Sequence, residues 1–390
     1  MACCCNEIKG ARKIGHIISV GTGKNQLPLI KEIKNRGFNV VGFDLNEDSI
    51  GKKYCDFFKN ISTWNYSDAI EWLKDLGLSY LGVGCFSYGN ALVTQQKIAN
   101  YFDLPGKLPE ELVNLNNKVY LRKMLRANHL STLNEIVIKD KCDFQVEKDR
   151  LYIVKPLVGG SSSDIKVYNN KIEGDKYNES YMLQEYISGK EYRISLIIQD
   201  SKIKFYKLMN KENLPATFFT SRFSRVNIEE YKEIELFLKK FLTIFNIKNA
   251  IMKIDLIKDK QRNEIIELDF GIPGDYFETY ISKYFYNYDY VGNYINFILG
   301  LPVQEDNVNH EGKYSYFDYI YNISSNPFTI DYSLIEKKLS KYIKDFGIIQ
   351  TKNDGDIIGF PKSNLDNICA VLHNEQNLDI KSIHELFFSN

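Results

Sequence analysis

Apolar positions in the first hundred residues switch between two periods. Residues 14–20 form a short apolar run ending in Gly21-Thr22-Gly23, and residues 39–44 form another after Gly37. Between them Leu27, Leu29, Ile30 and Ile33 share roughly one helical face, which predicts a helix over 27–35. Strand, helix and strand make a βαβ unit. A helix over 67–76, a strand over 80–85 and a helix over 90–101 continue the alternation. The segment 14–106 therefore predicts a doubly wound parallel sheet with a right-handed crossover.

The pattern changes at Leu104-Pro105-Gly106, a turn signal. A helical stretch over 109–128 follows, then strands over 135–138, 151–154, 181–184, 192–198 and 203–208. A helix over 229–245, strands over 251–257 and 264–268, and a helix-prone stretch over 288–299 complete the middle of the chain. These elements divide the protein into a disordered tail at 1–13, the βαβ domain at 14–106, a small lobe at 107–184 and a large lobe at 185–301. After Gly300-Leu301-Pro302, residues 302–390 read as a separate small α+β module. The expected class is thus α/β and α+β in one chain.

Composition narrows the function by exclusion. Fifty basic residues cancel fifty acidic ones, so no global field recruits nucleic acid or an anionic membrane. No apolar run approaches the ~20 residues needed to span a bilayer. The seven cysteines show no CxxC pair and no nearby histidine at zinc-ligand spacing. Cys55, Cys85, Cys142 and Cys369 read as buried thiols, and Cys3, Cys4 and Cys5 as part of the tail, which suits a reducing cytoplasm.

Gly21-Thr22-Gly23-Lys24-Asn25 lacks the spacing of a phosphate-binding P-loop and the third glycine of a dinucleotide fingerprint. Asp44 ends a strand as a ribose-binding acid would, but acids there often only cap a loop. A tight strand-to-helix turn is the better reading of both.

Four features in the middle of the chain carry chemistry. Asn117-Lys118 opens a helix on which residues 118, 122 and 126 step by four along one face; alone, this is a solvated basic stripe. Lys155 ends the apolar run Tyr152-Ile153-Val154, where an unpaired ammonium is costly and calls for an anionic partner. The loop Gly159-Gly160-Ser161-Ser162-Ser163 follows directly, with backbone N–H groups and hydroxyls able to wrap phosphate oxygens, though it also reads as a plain hairpin connection. The third feature, residues 182–193, runs strand, bend, strand. It can present backbone groups to a purine edge and a carboxylate to ribose hydroxyls, or be a simple turn at Ser188-Gly189.

The fourth feature is Asp255, then Glu267 and Asp269 on the next strand. If these strands pair across the polar turn 258–263, Asp255 lies opposite Glu267, and 267 and 269 share a face because strand periodicity is two. Three converging carboxylates need a cation, and oxygen-only ligands suit Mg²⁺ shared with nucleotide phosphates. Solvent-facing acids on an edge hairpin are the other reading.

In this order the four features resemble the ATP-grasp superfamily, of the type that joins carboxylates to amines; the likeness covers roughly residues 14–300. It implies that Lys118 and Lys155 contact ATP phosphates beneath a lid formed by residues 159–163, including Gly159, Gly160, Ser161 and Ser162. It implies an adenine hinge of Gln184, Tyr186 and Ile187, and a ribose contact at Glu191. It implies that Asp255, Glu267 and Asp269 hold two Mg²⁺ (Mn²⁺ as a substitute), with Glu267 bridging. The family usually has Asn where Asp269 stands, and many of its ligases have Arg near the position of Gly271. Arg193, Arg222 and Arg225 are the candidates to supply that missing cation.

The reaction implied is conversion of a small-molecule carboxylate to an acylphosphate by MgATP, followed by attack of an amine. A kinase of the same fold, or a nucleotide-binding protein without catalysis, are the alternatives. The module at 302–390 is expected to shape an acceptor pocket or a homodimer interface.

Overall fold

A computed structural model describes residues 15–87, 89–138, 150–157, 165–169, 180–260, 262–306 and 312–388. The chain forms two compact units.

The first unit holds the chain up to Pro109 together with Asp289–Gln304. Strands β1 (His16–Val20), β2 (Asn39–Asp44), β3 (Phe57–Asn60) and β4 (Tyr80–Gly84) form a parallel sheet in the order β3-β2-β1-β4. β1 and β2 are buried along almost their whole length, as parallel strands covered on both faces must be. Helices Leu27–Asn35 and Tyr66–Asp75 supply crossovers, and helix Asn90–Tyr101 follows the last strand. Asp44 accepts the amides of Thr22 and Asn46 (2.8 and 2.9 Å), so its carboxylate caps the loop.

The sequence places residues 288–299 in the large lobe, but helix Tyr290–Ile298 belongs to this first unit. The Tyr294 hydroxyl accepts the amide of Cys85 (2.9 Å), and Arg36 donates to Gly292 and Asn296. The approach depends on Gly82: a Cβ there would lie 2.4 Å from the carbonyl oxygen of Ile298. Cys85 and Cys369 are buried thiols and Cys55 is half-buried, while Cys142 lies outside the described residues. No described helix is long and apolar enough to cross a membrane.

The second unit comprises Glu110–Tyr288 and Glu305–Asn390. The stretch expected as one helix over 109–128 is broken into Glu110–Val113, a 3₁₀ turn Asn114–Asn116, and helix Lys118–Ala127. The asparagines cause the break. Asn117 is extended and its side chain caps the amides of Val119 and Tyr120, while Asn116 accepts the amide of Phe270 (2.9 Å). Lys118 is thereby fixed as the first helical residue, tied to the end of a distant strand.

A small antiparallel sheet, ordered β5-β8-β6-β7, contains β5 (Glu135–Val137), β6 (Tyr152–Pro156), β7 (Lys166–Tyr168) and β8 (Tyr181–Glu185). The large sheet begins with β9 (Lys190–Gln199), β10 (Lys202–Asn213), β11 (Thr220–Arg225), β12 (Ala250–Lys258) and β13 (Asn263–Asp269). It continues into β14 (Tyr316–Tyr321), β16 (Gly347–Gln350) and β18 (Asn367–His373), whereas β15 (Phe328–Thr329) and β17 (Ile357–Ile358) form a separate ribbon. The order β13-β12-β9-β10-β11-β14-β18-β16 makes one eight-stranded sheet. Where the sequence suggests a separate module at 302–390, β14 instead hydrogen-bonds to β11 and extends the same layer. Helix Ile228–Ile244 covers one face of the large sheet through Tyr231, whose hydroxyl donates to the carbonyl of Tyr206 (2.9 Å).

Candidate active site

The opposite face of the large sheet carries charge. Residues paired across neighbouring strands point to the same side. The register sets Arg193 beside Asp255, Asp255 beside Glu267, Lys253 beside Asp269 and Lys211 beside Glu191. Seven ionisable groups from four strands therefore share one surface, and Asp255 does lie opposite Glu267.

Their contacts alternate in sign. Arg193 donates through Nε and Nη2 to the two oxygens of Asp255, and through Nη1 to Pro273 O (3.0 Å) and Asp275 (2.6 Å). Lys211 lies 3.1 Å from Glu191 and 3.8 Å from Asp255, and Asn213 donates to the other oxygen of Glu191 (3.0 Å). Lys253 lies 3.0 Å from Asp269, 3.3 Å from Glu267 and 4.0 Å from Asp255. Burial on its own would raise the Asp255 pKa; Arg193, Lys211 and Lys253 outweigh it and hold the carboxyl well below the usual range. The Lys253 ammonium holds the Glu267 pKa down, whereas burial lifts that of Asp269.

Asp275 is fixed by an unusual backbone. Gly274, Asp275 and Tyr276 all have positive φ (72°, 54° and 61°) and lead into a π-helical turn, Phe277–Ile281. Glu278 accepts the amide of Gly274 (2.5 Å), and burial pushes its pKa up to about 7.

The small sheet contributes the second group. Lys118 donates to Pro156 O (3.2 Å), and Lys155 stands on β6 with no ion-pair partner within 4 Å among the described residues. Desolvation, with Arg122 and Lys118 nearby, drives the Lys155 pKa down to about 7, while Glu267 and Glu135 oppose the shift. Lys155 and Glu267, from different sheets, thus feel each other's charge, and Lys118 in turn lowers the pKa of Glu267. Gln184, on the neighbouring strand β8, is 2% exposed, and its Nε2 has no hydrogen-bond acceptor among the described residues. Ile187 is buried in the bend between β8 and β9, where the amide of Tyr186 is already donated to Leu151 O (2.9 Å). Gly159, Gly160, Ser161 and Ser162 lie outside the described residues.

Of the three arginines proposed to replace the cation missing near Gly271, only Arg193 joins this charged cluster; Arg225, paired with Met209, shares the face but is engaged elsewhere. Phe223 pairs with Lys211 and shares its face, so Arg222 points to the opposite side. There it donates to both oxygens of Asp318 (2.6 and 2.7 Å), which His373 also contacts (2.8 Å), and it lies over the ring of Tyr316. Arg225 donates through Nη2 to three carbonyls, of Phe285, Gly312 and Tyr314. Arg222→Met should cost about 3–5 kcal/mol of folding free energy by stranding buried Asp318, yet leave nucleotide affinity unchanged. Denaturant unfolding and nucleotide titration of the same preparation check both halves.

Two cations here escaped the sequence reading, Lys211 and Lys253. The signal for Lys253 was present: it interrupts the apolar strand Ile251-Met252-Lys253-Ile254 as Lys155 interrupts its own.

Among the described residues no three His, Cys, Asp or Glu side chains are gathered so that they could hold a metal ion unaided. Glu267 and Asp269 nonetheless offer oxygen-only donors that already converge on a stand-in cation, the Lys253 ammonium. That donor set suits Mg²⁺ sharing its shell with phosphate oxygens.

Residues 115–269 match the family described as the ATP-grasp domain, and this stretch of the chain belongs to that family. No curated protein matches the chain. Solved structures similar over nearly the whole length include an L-amino acid ligase from Bacillus licheniformis, with 18% identity, 95% of this chain and 96% of that one covered, and a TM-score of 0.74. A phosphoribosylglycinamide synthetase from Anaerococcus prevotii has 15% identity, coverages of 96% and 98%, and a TM-score of 0.67. An N5-carboxyaminoimidazole synthetase from Staphylococcus aureus, complexed with ADP, has 15% identity, coverages of 96% and 97%, and a TM-score of 0.67. At such identities the likeness carries the fold: the protein has the ATP-grasp fold.

Proposed function

We propose that the protein is an ATP-dependent ligase that activates a carboxylate as its acylphosphate and passes the acyl group to an amine. One observation carries the reading: Lys155, a desolvated lysine with no ion-pair partner among the described residues, is within electrostatic reach of Glu267 on the carboxylate surface. A magnesium-bound triphosphate would give Lys155 an anion and give Glu267 and Asp269 a divalent ion in place of the Lys253 ammonium. The Nε2 of Gln184, opposite Ile153 on the strand that carries Lys155 and without an acceptor among the described residues, fits an adenine ring at the far end of the same nucleotide.

In this reading Lys118 and Lys155 hold phosphate oxygens, Gln184, Tyr186 and Ile187 hold the base, and Glu191 holds the ribose. Glu267 and Asp269 would hold Mg²⁺, which neutralises charge on the transferring phosphoryl group when bound. Asp255, both of whose oxygens face Arg193, positions that arginine. The chemistry falls to positioning and charge stabilisation. The substrate carboxylate oxygen forms a bond to the γ-phosphorus as the bond to ADP breaks. The amine then bonds to the acyl carbon, loses a proton, and displaces phosphate. The ligases among the similar structures are consistent with this class, and their substrates remain theirs.

The test is a pairwise screen of amino acids and other carboxylates against amines, reading ADP and free phosphate together. A ligase releases both in equal amounts and only when an acceptor pair is complete. ADP without free phosphate would replace the ligase reading with a kinase, and nucleotide binding without turnover by any pair would replace it with a binding protein.

A further inference from the structure

We infer that Lys253 is the cation this chain uses in place of the arginine missing near Gly271: it holds the metal-binding carboxylates together before loading, and it turns to the γ-phosphate when Mg²⁺ displaces it. The inference rests on the nucleotide site proposed above.

Position comes first. Lys253 is one strand step from Asp255, beside Asp269, on the face that carries Glu267. Its side chain is 8% exposed, and its ammonium lies within 4.0 Å of three carboxylates. None of the sequence candidates is so placed. Arg193 is committed to Asp255, Asp275 and Pro273 O, Arg222 faces away, and Arg225 is spent on carbonyls.

Competition follows from charge. A divalent ion bound by Glu267 and Asp269 cannot share their inner oxygens with an ammonium, because two cations in contact repel strongly in a desolvated site. Lysine suits the exchange where arginine would not. Its compact charge sits on a flexible four-carbon stem, so it can leave without breaking a bidentate fork. Once released, it remains beside the metal and the phosphates that metal binds, and the γ-phosphate is the nearest new anion. The protein would thus carry a placeholder that keeps the acidic cluster from repelling itself and becomes a phosphoryl anchor when ATP arrives.

The test uses the full chain, Mn²⁺ as the metal probe, and ADP and β,γ-imido-ATP as nucleotides. Lys253→Met should bind Mn²⁺ in the presence of ADP at least about tenfold more tightly than the unsubstituted protein, since its competitor is gone. The same variant should lose at least about tenfold of the preference for imido-ATP over ADP, since the anchor is gone. A merely structural lysine would not move these two readouts in opposite directions. Unchanged or weaker Mn²⁺ binding by folded Lys253→Met, or an undiminished triphosphate preference, overturns the inference. Should that variant not fold, Lys253→Arg decides. Its guanidinium should grip the carboxylates and weaken Mn²⁺ binding about tenfold, and unaltered binding overturns the inference. Absence of Mn²⁺–ADP binding by the unsubstituted protein would overturn the functional reading as well, whereas normal binding with indifferent variants would overturn this inference alone.

Discussion

Lys155→Met should weaken ATP binding roughly a hundredfold and, at neutral pH, make the nucleotide-free protein more resistant to heat. Both effects have one origin. Lys155 is half-buried near Arg122 and Lys118, and desolvation together with those charges lowers its pKa from 10.5 to about 7. The unfolded chain therefore binds a proton between pH 7 and 10.5 that the folded one does not. Stability rises with pH wherever the unfolded state holds more protons. The penalty from Lys155 is thus fully present below pH 7, shrinks across that window, and is gone above 10.5. Methionine keeps the length of the side chain and removes the penalty, so the gain in melting temperature should be largest near pH 6 to 7 and should vanish as pH approaches 10. Triphosphate reverses the balance, because an anion beside Lys155 restores its proton. Losing that charge-assisted contact should weaken ATP binding roughly a hundredfold. Thermal scans across pH, together with titration by a fluorescent nucleotide, read both effects. A variant that melts lower at pH 6.5, or that binds ATP as before, would remove Lys155 from the phosphate site.

The second large effect is expected from Glu267→Gln, which should cut ADP formation by about a thousandfold or more while leaving the melting temperature nearly unchanged. Glu267 is 34% exposed on its side chain, and Lys253 keeps Asp269 as a partner at 3.0 Å, so the amide strands no buried charge. What the amide cannot do is offer an ionised oxygen to a divalent ion. ADP release by each protein, with the acceptor pair that supports turnover, measures the first half, and a thermal scan the second. Turnover within tenfold of the unsubstituted protein would place the metal elsewhere.

These expectations rest on features of unequal visibility in the sequence. Local periodicity showed the βαβ alternation, and helix Leu27–Asn35 and strand β2 fall where the pattern put them. The Asp255–Glu267 pairing was also readable, because a short polar turn joins two strands whose side-chain period is two. Facing direction across distant strands was not readable. Arg222 and Phe223 are neighbours in sequence on opposite sides of the sheet, and which side carries the chemistry depends on pairing with β10 and β14. The helix at 290–298 misled for a similar reason: its docking depends on Gly82, two hundred residues earlier. Lys253, like Lys155, interrupts an apolar strand, but Glu267 and Asp269, the acids closest to it, stand on another strand, so its own strand alone does not show what it faces.

The pairing of β11 with β14 bears on what shortening the chain would do. A polypeptide ending near residue 300 would keep every group assigned to the nucleotide, yet β11 would become an open rim with unsatisfied amides and carbonyls. Such rims recruit foreign strands and promote aggregation. Arg222 would also be left there without Asp318, its buried counterion. The last ninety residues act as a selvedge, finishing the fabric on which the catalytic surface is woven.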